Sequence, residues 1–194
     1  MAVSLESLIT SRRTVRKTKS SPIPLEVIED ILEKAAYAPF HSKIEPWSVK
    51  IASTAEEKQY IFDCVLRSYE RTGVLASYSD EQVEKIKTSY KDYLLSTPIT
   101  MIVATEVFED EKKDFDSMGA TCAFIQNIQL LSWEKNIGTV WRTNPYIFDP
   151  AFAEELGISS SKKVIGSIHL GYPEQVPEAK ERRPIHEWVT RIAP

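Results

Sequence analysis

The chain has 194 residues, 24 Lys and Arg against 28 Asp and Glu, and a net charge of -4. That length suits one domain with a sizeable core, and the acidic balance argues against a nucleic-acid binder, which usually carries a basic excess on one face. Residues 1 to 20 lack an apolar core with a cleavage site, and no run approaches the roughly 18 apolar residues a membrane span needs, so a cytoplasmic protein outside the membrane is expected.

In chain order, Val3 to Ser11 reads as a short helix leading into the basic cluster Arg12-Arg13-Thr14-Val15-Arg16-Lys17. After the turn around Pro22 and Pro24, apolar Val27, Ile28, Ile31, Leu32, Ala35 and Ala36 recur at three and four residues, a helix with one buried face that stops by Pro39. Trp47 to Ala52 alternates like a half-buried strand. Residues 55 to 67 and 80 to 95 read as helices. The stretch from Ser68 to Ser79 has no clear period and is expected to be mobile. Ile99 to Thr105, rich in β-branched residues, reads as a central strand.

From Asp116 to Trp133 the chain is apolar almost all round, as in a helix buried on every side. The pattern alone fits a central core helix or one with a face in a dimer interface equally well. Gly138 is expected to close it as a left-handed cap. Thr139 to Trp141 reads as a short strand, Pro150 to Leu156 as a helix and Val164 to Leu170 as a strand. From Tyr172 to Glu187, three prolines and many charges forbid regular structure, so this tail must be held by something outside itself. The interleaving makes one α/β or α+β domain over residues 1–194.

The chemistry inventory is sparse. Cys64 and Cys122 lack CxxC spacing, Cys122 suiting a buried thiol, and His41, His169 and His186 are scattered, so a metal site is not expected. The six glycines form neither a GxGxxG turn nor a GxxxxGK[ST] loop. Any nucleotide must therefore be held by side chains. The basic clusters near the two ends, Arg12 to Lys17 and Lys180-Glu181-Arg182-Arg183, would make a phosphate site if the fold joins them. The plainer alternative is a solvated surface run or cations offsetting a helix C-terminus.

Four segments in order carry more. They are the first arginine cluster, Ala38-Pro39-Phe40-His41-Ser42-Lys43-Ile44-Glu45-Pro46-Trp47, Gly138-Thr139-Val140-Trp141-Arg142-Thr143-Asn144, and Gly171-Tyr172-Pro173 followed by Lys180-Glu181-Arg182-Arg183-Pro184. Their order, spacing and residue types resemble the nitroreductase family of FMN-dependent oxidoreductases over essentially the whole chain. The resemblance is to its small members with a histidine in the AP segment and a WR[ST] strand. Glu45 departs from the usual glutamine, and Ile137-Gly138-Thr139 replaces the GLG-like turn.

The resemblance implies an α+β, three-layer α/β/α fold: a mixed, mainly antiparallel sheet flanked by helices, with a long central helix at a dimer interface. It implies a homodimer whose C-terminal tail, from about residue 172, packs on the partner, and an FMN cofactor reduced by NAD(P)H without a Rossmann domain. Arg12, Arg13 and Thr14 match the grip on the FMN phosphate and ribityl chain. Arg16 matches the cation at the pyrimidine edge, where positive charge favours the reduced state. His41 matches a contact from the opposite subunit. Trp141, Arg142 and Thr143 match contacts after the long helix, and Lys180 and Arg182 the tail pair near the phosphate. No residue is expected as a nucleophile, because the flavin carries the chemistry. The implied activity is ping-pong reduction of a nitroaromatic, quinone or related small-molecule electron acceptor. An FMN-binding accessory or sensor module, or another reaction such as dehalogenation, dehydrogenation or flavin breakdown, is the alternative. Trp47 and Trp133 are read as core, and Tyr69, Tyr78 and Phe40 as candidates for the substrate mouth.

Overall fold

The structure, a computed structural model, describes residues 4–41 and 43–192; Val3 and Ser42 lie outside them. Helices α1 (Leu5–Ser11) and α2 (Leu25–Ala35) precede strand β1 (Trp47–Ala52) and helices α3 (Ala55–Thr72) and α4 (Asp80–Ser96). Strand β2 (Ile99–Glu106), helix α5 (Glu111–Glu134), strand β3 (Gly138–Arg142), helix α6 (Pro150–Glu155) and strand β4 (Lys162–Gly171) follow. The four strands form one sheet in the order β1-β2-β4-β3, every neighbouring pair antiparallel. The only parallel pairing among the described residues is the isolated bridge Thr14–Thr139.

Alternation along β2 explains the layers. Met101 and Val103 face a core with Ile28 and Ile31 of α2 and Phe124, Ile125 and Ile128 of α5. Ile102 and Ala104 face the opposite core, with Phe62 and Val65 of α3, Leu94 of α4 and Phe152 of α6. Helices on both faces of an antiparallel sheet make the α+β sandwich. Trp47 joins the first core by stacking on Phe124, ring centroids 4.8 Å apart. Trp133 is half-buried, and its indole N–H donates to Ser11 Oγ at 3.0 Å.

Three local expectations are corrected. The stretch expected to be mobile is largely ordered: α3 runs on to Thr72 and ends at Gly73, whose φ of 68° is left-handed. The cause is tertiary, since Ser68 is fully buried and Tyr69 packs on Tyr146. Helix α5 starts at Glu111 because the Asp110 side chain caps it, accepting from the Lys113 N–H. It is not buried all round either; Phe115 is 77% exposed, and Met118 lies on the same open surface. Finally, Asn136, with φ of 58°, is the left-handed residue after α5, and Gly138 belongs to β3.

Gly138 is needed for a different reason. The segment after α1 lies along the free edge of β3, where Val15 N–H donates to the Thr139 carbonyl at 2.9 Å. A Cβ on Gly138 would sit 2.6 Å from Val15 Cβ. Further on, Lys19 N–H donates to Tyr172 O at 2.8 Å and Glu174 N–H to Lys17 O at 3.2 Å, so both basic termini leave the sheet from the same edge. Arg71 pairs with Asp149 at 2.8 Å and Glu155 at 2.7 Å, tying α3 to the stretch that follows β3.

Gly138→Ala is expected to destabilise the fold by about 1–3 kcal/mol through overpacking, read as a lower urea midpoint. Adding Val15→Gly should cost less in that background than in the wild type, because it removes the Cβ and both methyls that the new Cβ would meet. Additive losses would mean that Val15 and Gly138 do not touch.

Candidate functional site

Two cationic clusters flank the β3 edge. The first unites the chain ends. Arg12 is the C-cap of α1 and is half-buried, its Nη1 enclosed with no hydrogen-bond partner among the described residues. Burial holds its guanidinium below the ordinary value, and the charges of Arg13 and Arg182 lower it further. Arg182 thus comes within electrostatic reach of Arg12 although 170 residues separate them in sequence. Among the described residues, no carboxylate is ion-paired with Arg12, Arg13 or Arg182. Arg13 serves the helix end as well, donating from Nη1 to the carbonyls of Thr10 at 2.8 Å and Arg12 at 2.7 Å. Thr14 is exposed beside the bridge to Thr139, and Lys180 is exposed on the tail.

The second cluster surrounds Tyr93 of α4. The Arg142 guanidinium lies 4.4 Å above the Tyr93 ring, and its buried Nε has no partner among the described residues. Burial raises the Tyr93 hydroxyl, and the charges of Arg142 and of exposed Arg16 oppose that rise. Trp141 turns its indole onto the sheet instead. Strand β4 bulges between Gly166 and Val164, and the Ile165 carbonyl there accepts from the Trp141 N–H at 3.4 Å. Gly166 makes this possible, because any Cβ would be driven into the indole ring. Trp141 therefore offers a ligand its main chain more than its ring. Thr143 is exposed on a groove shared with Met118 and Phe148.

His41 joins neither cluster. It is exposed and lines a cavity of about 210 Å³ with Ile44, Pro46, Phe108 and Asp116. That cavity lies between the segment leading into β1 and the first half of α5, and no residue of either cluster lines it. Within one chain the structure brings together Arg12, Arg13 and Arg182, and separately Arg16 and Arg142. Of the candidates for a substrate mouth, Tyr78 is exposed, Tyr69 is half-buried with its hydroxyl pushed up to about 12 by burial, and Phe40 meets Trp47 edge-on.

Behind Tyr93 stands a polar chain that sequence reasoning missed. Tyr146 and Ser167 hydroxyls lie 2.7 Å apart, Ser167 Oγ is 3.1 Å from His169 Nε2, and His169 Nδ1 is 3.1 Å from Thr100 Oγ1. The His169 ring meets Tyr93 edge-on at 5.2 Å. Burial first, then the Arg142 charge, pushes its imidazole down to about 3. A neutral ring can donate through one nitrogen and accept through the other, which matches hydroxyls on both sides. The two cysteines are free; burial pushes the Cys64 thiol up to about 11, and Cys122 is only half-buried. Among the described residues no group of three acidic, histidine or cysteine side chains could hold a metal ion, and no helix is long and apolar enough to cross a membrane.

The description Nitroreductase family fits residues 9–172, and the chain belongs to that family. It is 34% identical over 188 residues to YfhC of Bacillus subtilis (strain 168), a provisional NAD(P)H nitroreductase, covering 97% of this chain and 94% of YfhC. The fold is shared with a nitroreductase-like family protein from Bacillus cereus, at TM-score 0.88 and 31% identity over 99% of this chain and 97% of that one. It is also shared with oxidised iodotyrosine deiodinase bound to FMN and 3-iodo-L-tyrosine, at TM-score 0.74 and 22% identity, over 98% of this chain and all of that one.

The buried histidine sets a pH dependence. An exposed histidine titrates near 6.5, so between about pH 6.5 and 3 the unfolded chain binds a proton that the folded chain refuses. Stability contributed at neutral pH is lost as pH falls through that window, by up to about 1.4 kcal/mol per pH unit. His169→Gln removes this linkage. In urea titrations from about pH 7 to 5, the stability gap between wild type and variant is expected to narrow as pH falls; a constant gap would mean that the folded imidazole takes up the proton.

Proposed function

We propose that the protein is an FMN-dependent oxidoreductase that uses NAD(P)H to reduce nitroaromatic, quinone or related electrophilic acceptors. One observation carries the reading: the half-buried Arg12 guanidinium, with an enclosed unpaired Nη1, beside Arg13 and Arg182. A phosphomonoester is an acceptor-only dianion with three terminal oxygens, and guanidinium forks from both ends of the chain suit it. The absence, among the described residues, of any carboxylate paired with these three supports an outside anion as their partner.

Arg12, Arg13 and Arg182, with Lys180 and Thr14, would hold the FMN phosphate and ribityl chain. Arg16 would stand at the pyrimidine edge, and Trp141, Arg142 and Thr143 would line the flavin mainly through the β3 backbone. FMN, when bound, supplies hydride acceptance and electron transfer that no side chain here could perform. The net reaction converts NAD(P)H, a proton and the acceptor into NAD(P)+ and an acceptor reduced by two electrons, in ping-pong order. The protein's part is to bind, orient and exclude water, with Arg16 providing fixed positive charge where negative charge develops. The FMN-bound deiodinase of the same fold and the name of YfhC support the cofactor and the donor.

The reading includes a homodimer. Everything from Glu174 to Ile192 is exposed in the single chain, with Trp188 60% accessible, and α5 presents Phe115 and Met118. Apolar surface on that scale calls for cover. A partner subunit would supply it and would bring His41 to the other protomer's flavin.

Arg12→Gln is expected to weaken FMN binding about 10- to 100-fold, the loss of one charge-assisted contact, measured by quenching of FMN fluorescence. Wild-type protein should be yellow, bleach with NAD(P)H and sediment at twice the chain mass. Unchanged FMN affinity in the variant, or a flavin that NAD(P)H leaves oxidised, would refute the assignment.

A further inference from the structure

The second cluster borders an open cavity of about 480 Å³ lined by Lys85, Ile86, Ser89, Tyr90 and Tyr93 of α4 and by Arg142. The spacing of 86, 89, 90 and 93 sets these residues on one helical face, turned toward the end of β3. No acidic side chain lines this cavity. The nearest on the helix, Glu84 and Asp92, line the next groove round it, where Glu84 pairs with Lys87 at 3.3 Å. Arg142 and Lys85 have no ion-pair partner among the described residues.

The guanidinium is also held in place. Arg142 rests on Tyr93, Tyr93 abuts His169, and His169 is fixed between Thr100 and Ser167. A cation that is unpaired yet oriented, with aromatic and aliphatic walls around it, is suited to a flat anion. A neutral nitroarene would use only the walls.

We infer that this cavity is the acceptor subsite and that it takes a planar aromatic acid, its carboxylate held by Arg142 and Lys85 and its ring against Tyr90 and Ile86. The inference rests on the preceding reading, which sets the flavin beside Arg16 and the β3 backbone; the Arg142 side chain serves the acceptor while its main chain serves the cofactor. For a nitro-substituted acid the step balances as ArNO2 + NAD(P)H + H+ → ArNO + NAD(P)+ + H2O. One N–O bond breaks, two electrons pass from the nicotinamide to the nitro group, and the oxygen leaves as water.

The test is calorimetric titration of 4-nitrobenzoate and of neutral 4-nitrobenzamide into FMN-loaded protein. The acid is expected to bind on the order of tenfold more tightly, an increment of about 1.4 kcal/mol. Lys85→Gln should cut that ratio by about threefold, Tyr93→Phe should keep it because the ring remains, and Tyr93→Leu, which unseats Arg142, should also cut it by about threefold. Equal dissociation constants in the wild type, or a ratio that survives both Lys85→Gln and Tyr93→Leu, would overturn the inference. NAD(P)H oxidation with a quinone in the same preparation separates the two readings. Oxidation with equal dissociation constants sinks the acid subsite alone, whereas acid preference without oxidation by any acceptor leaves an acid-binding cavity and overturns both the reductase and the acceptor role assigned to that cavity.

Discussion

Three like-charged guanidiniums brought together with no carboxylate ion-paired to any of them among the described residues are the constraint on which the rest of this structure turns. Arg12 is partly withdrawn from water, Arg13 is locked to the end of α1, and Arg182 returns from the tail to add to the repulsion. Desolvating a charge costs several kcal/mol unless it is paired. The fold imposes that cost through geometry, because the segment after α1 and the start of the tail are hydrogen-bonded to one another at the edge of the sheet. Gly138 and Gly171 allow this close approach, leaving room for Val15 and Thr18 respectively.

The site is bipolar. At one pole lie Arg12, Arg13 and Arg182; at the other, Arg16 and Arg142 gather round Tyr93. A flavin mononucleotide has the same polarity, with a phosphate at one end and an electron-accepting ring at the other. The buried chain from Tyr146 through Ser167 and His169 to Thr100 fits a supporting role, since it braces Tyr93 without adding charge. A protonated histidine at that position would repel Arg142, so the neutrality of His169 and the placement of Arg142 depend on each other.

Much of the scaffold could be read from residue patterns because the governing interactions are local or periodic. The β-branched run of β2 reports a strand inside the sheet and the three-four spacing of α2 reports burial of one face, and both elements form where expected. The extension of α3 was illegible because it depends on Ser68 and Tyr69 packing against Tyr146, a contact that no window of sequence contains. Propensity favours glycine for the left-handed residue after α5, yet Asn136 adopts it, and Gly138 answers to Val15 instead. In the site, the arginine clusters stood out because runs of positive charge contrast with the acidic balance of the chain. His169 did not, because its partners come from β2, β4 and α4, each an ordinary residue in its own segment. The direction of Arg142 was equally hidden, since a strand end does not reveal which helix its side chain will reach.

The central claim is that these cations are built for a phosphate rather than merely tolerated. The most direct measurement compares the equilibrium affinity of the cofactor-free protein for FMN and for riboflavin, which differ only in that group, across a range of salt. FMN is expected to bind about a hundredfold more tightly, as two charge-assisted contacts provide, with the difference shrinking as ionic strength rises. Equal affinities for the two flavins at low salt would contradict it.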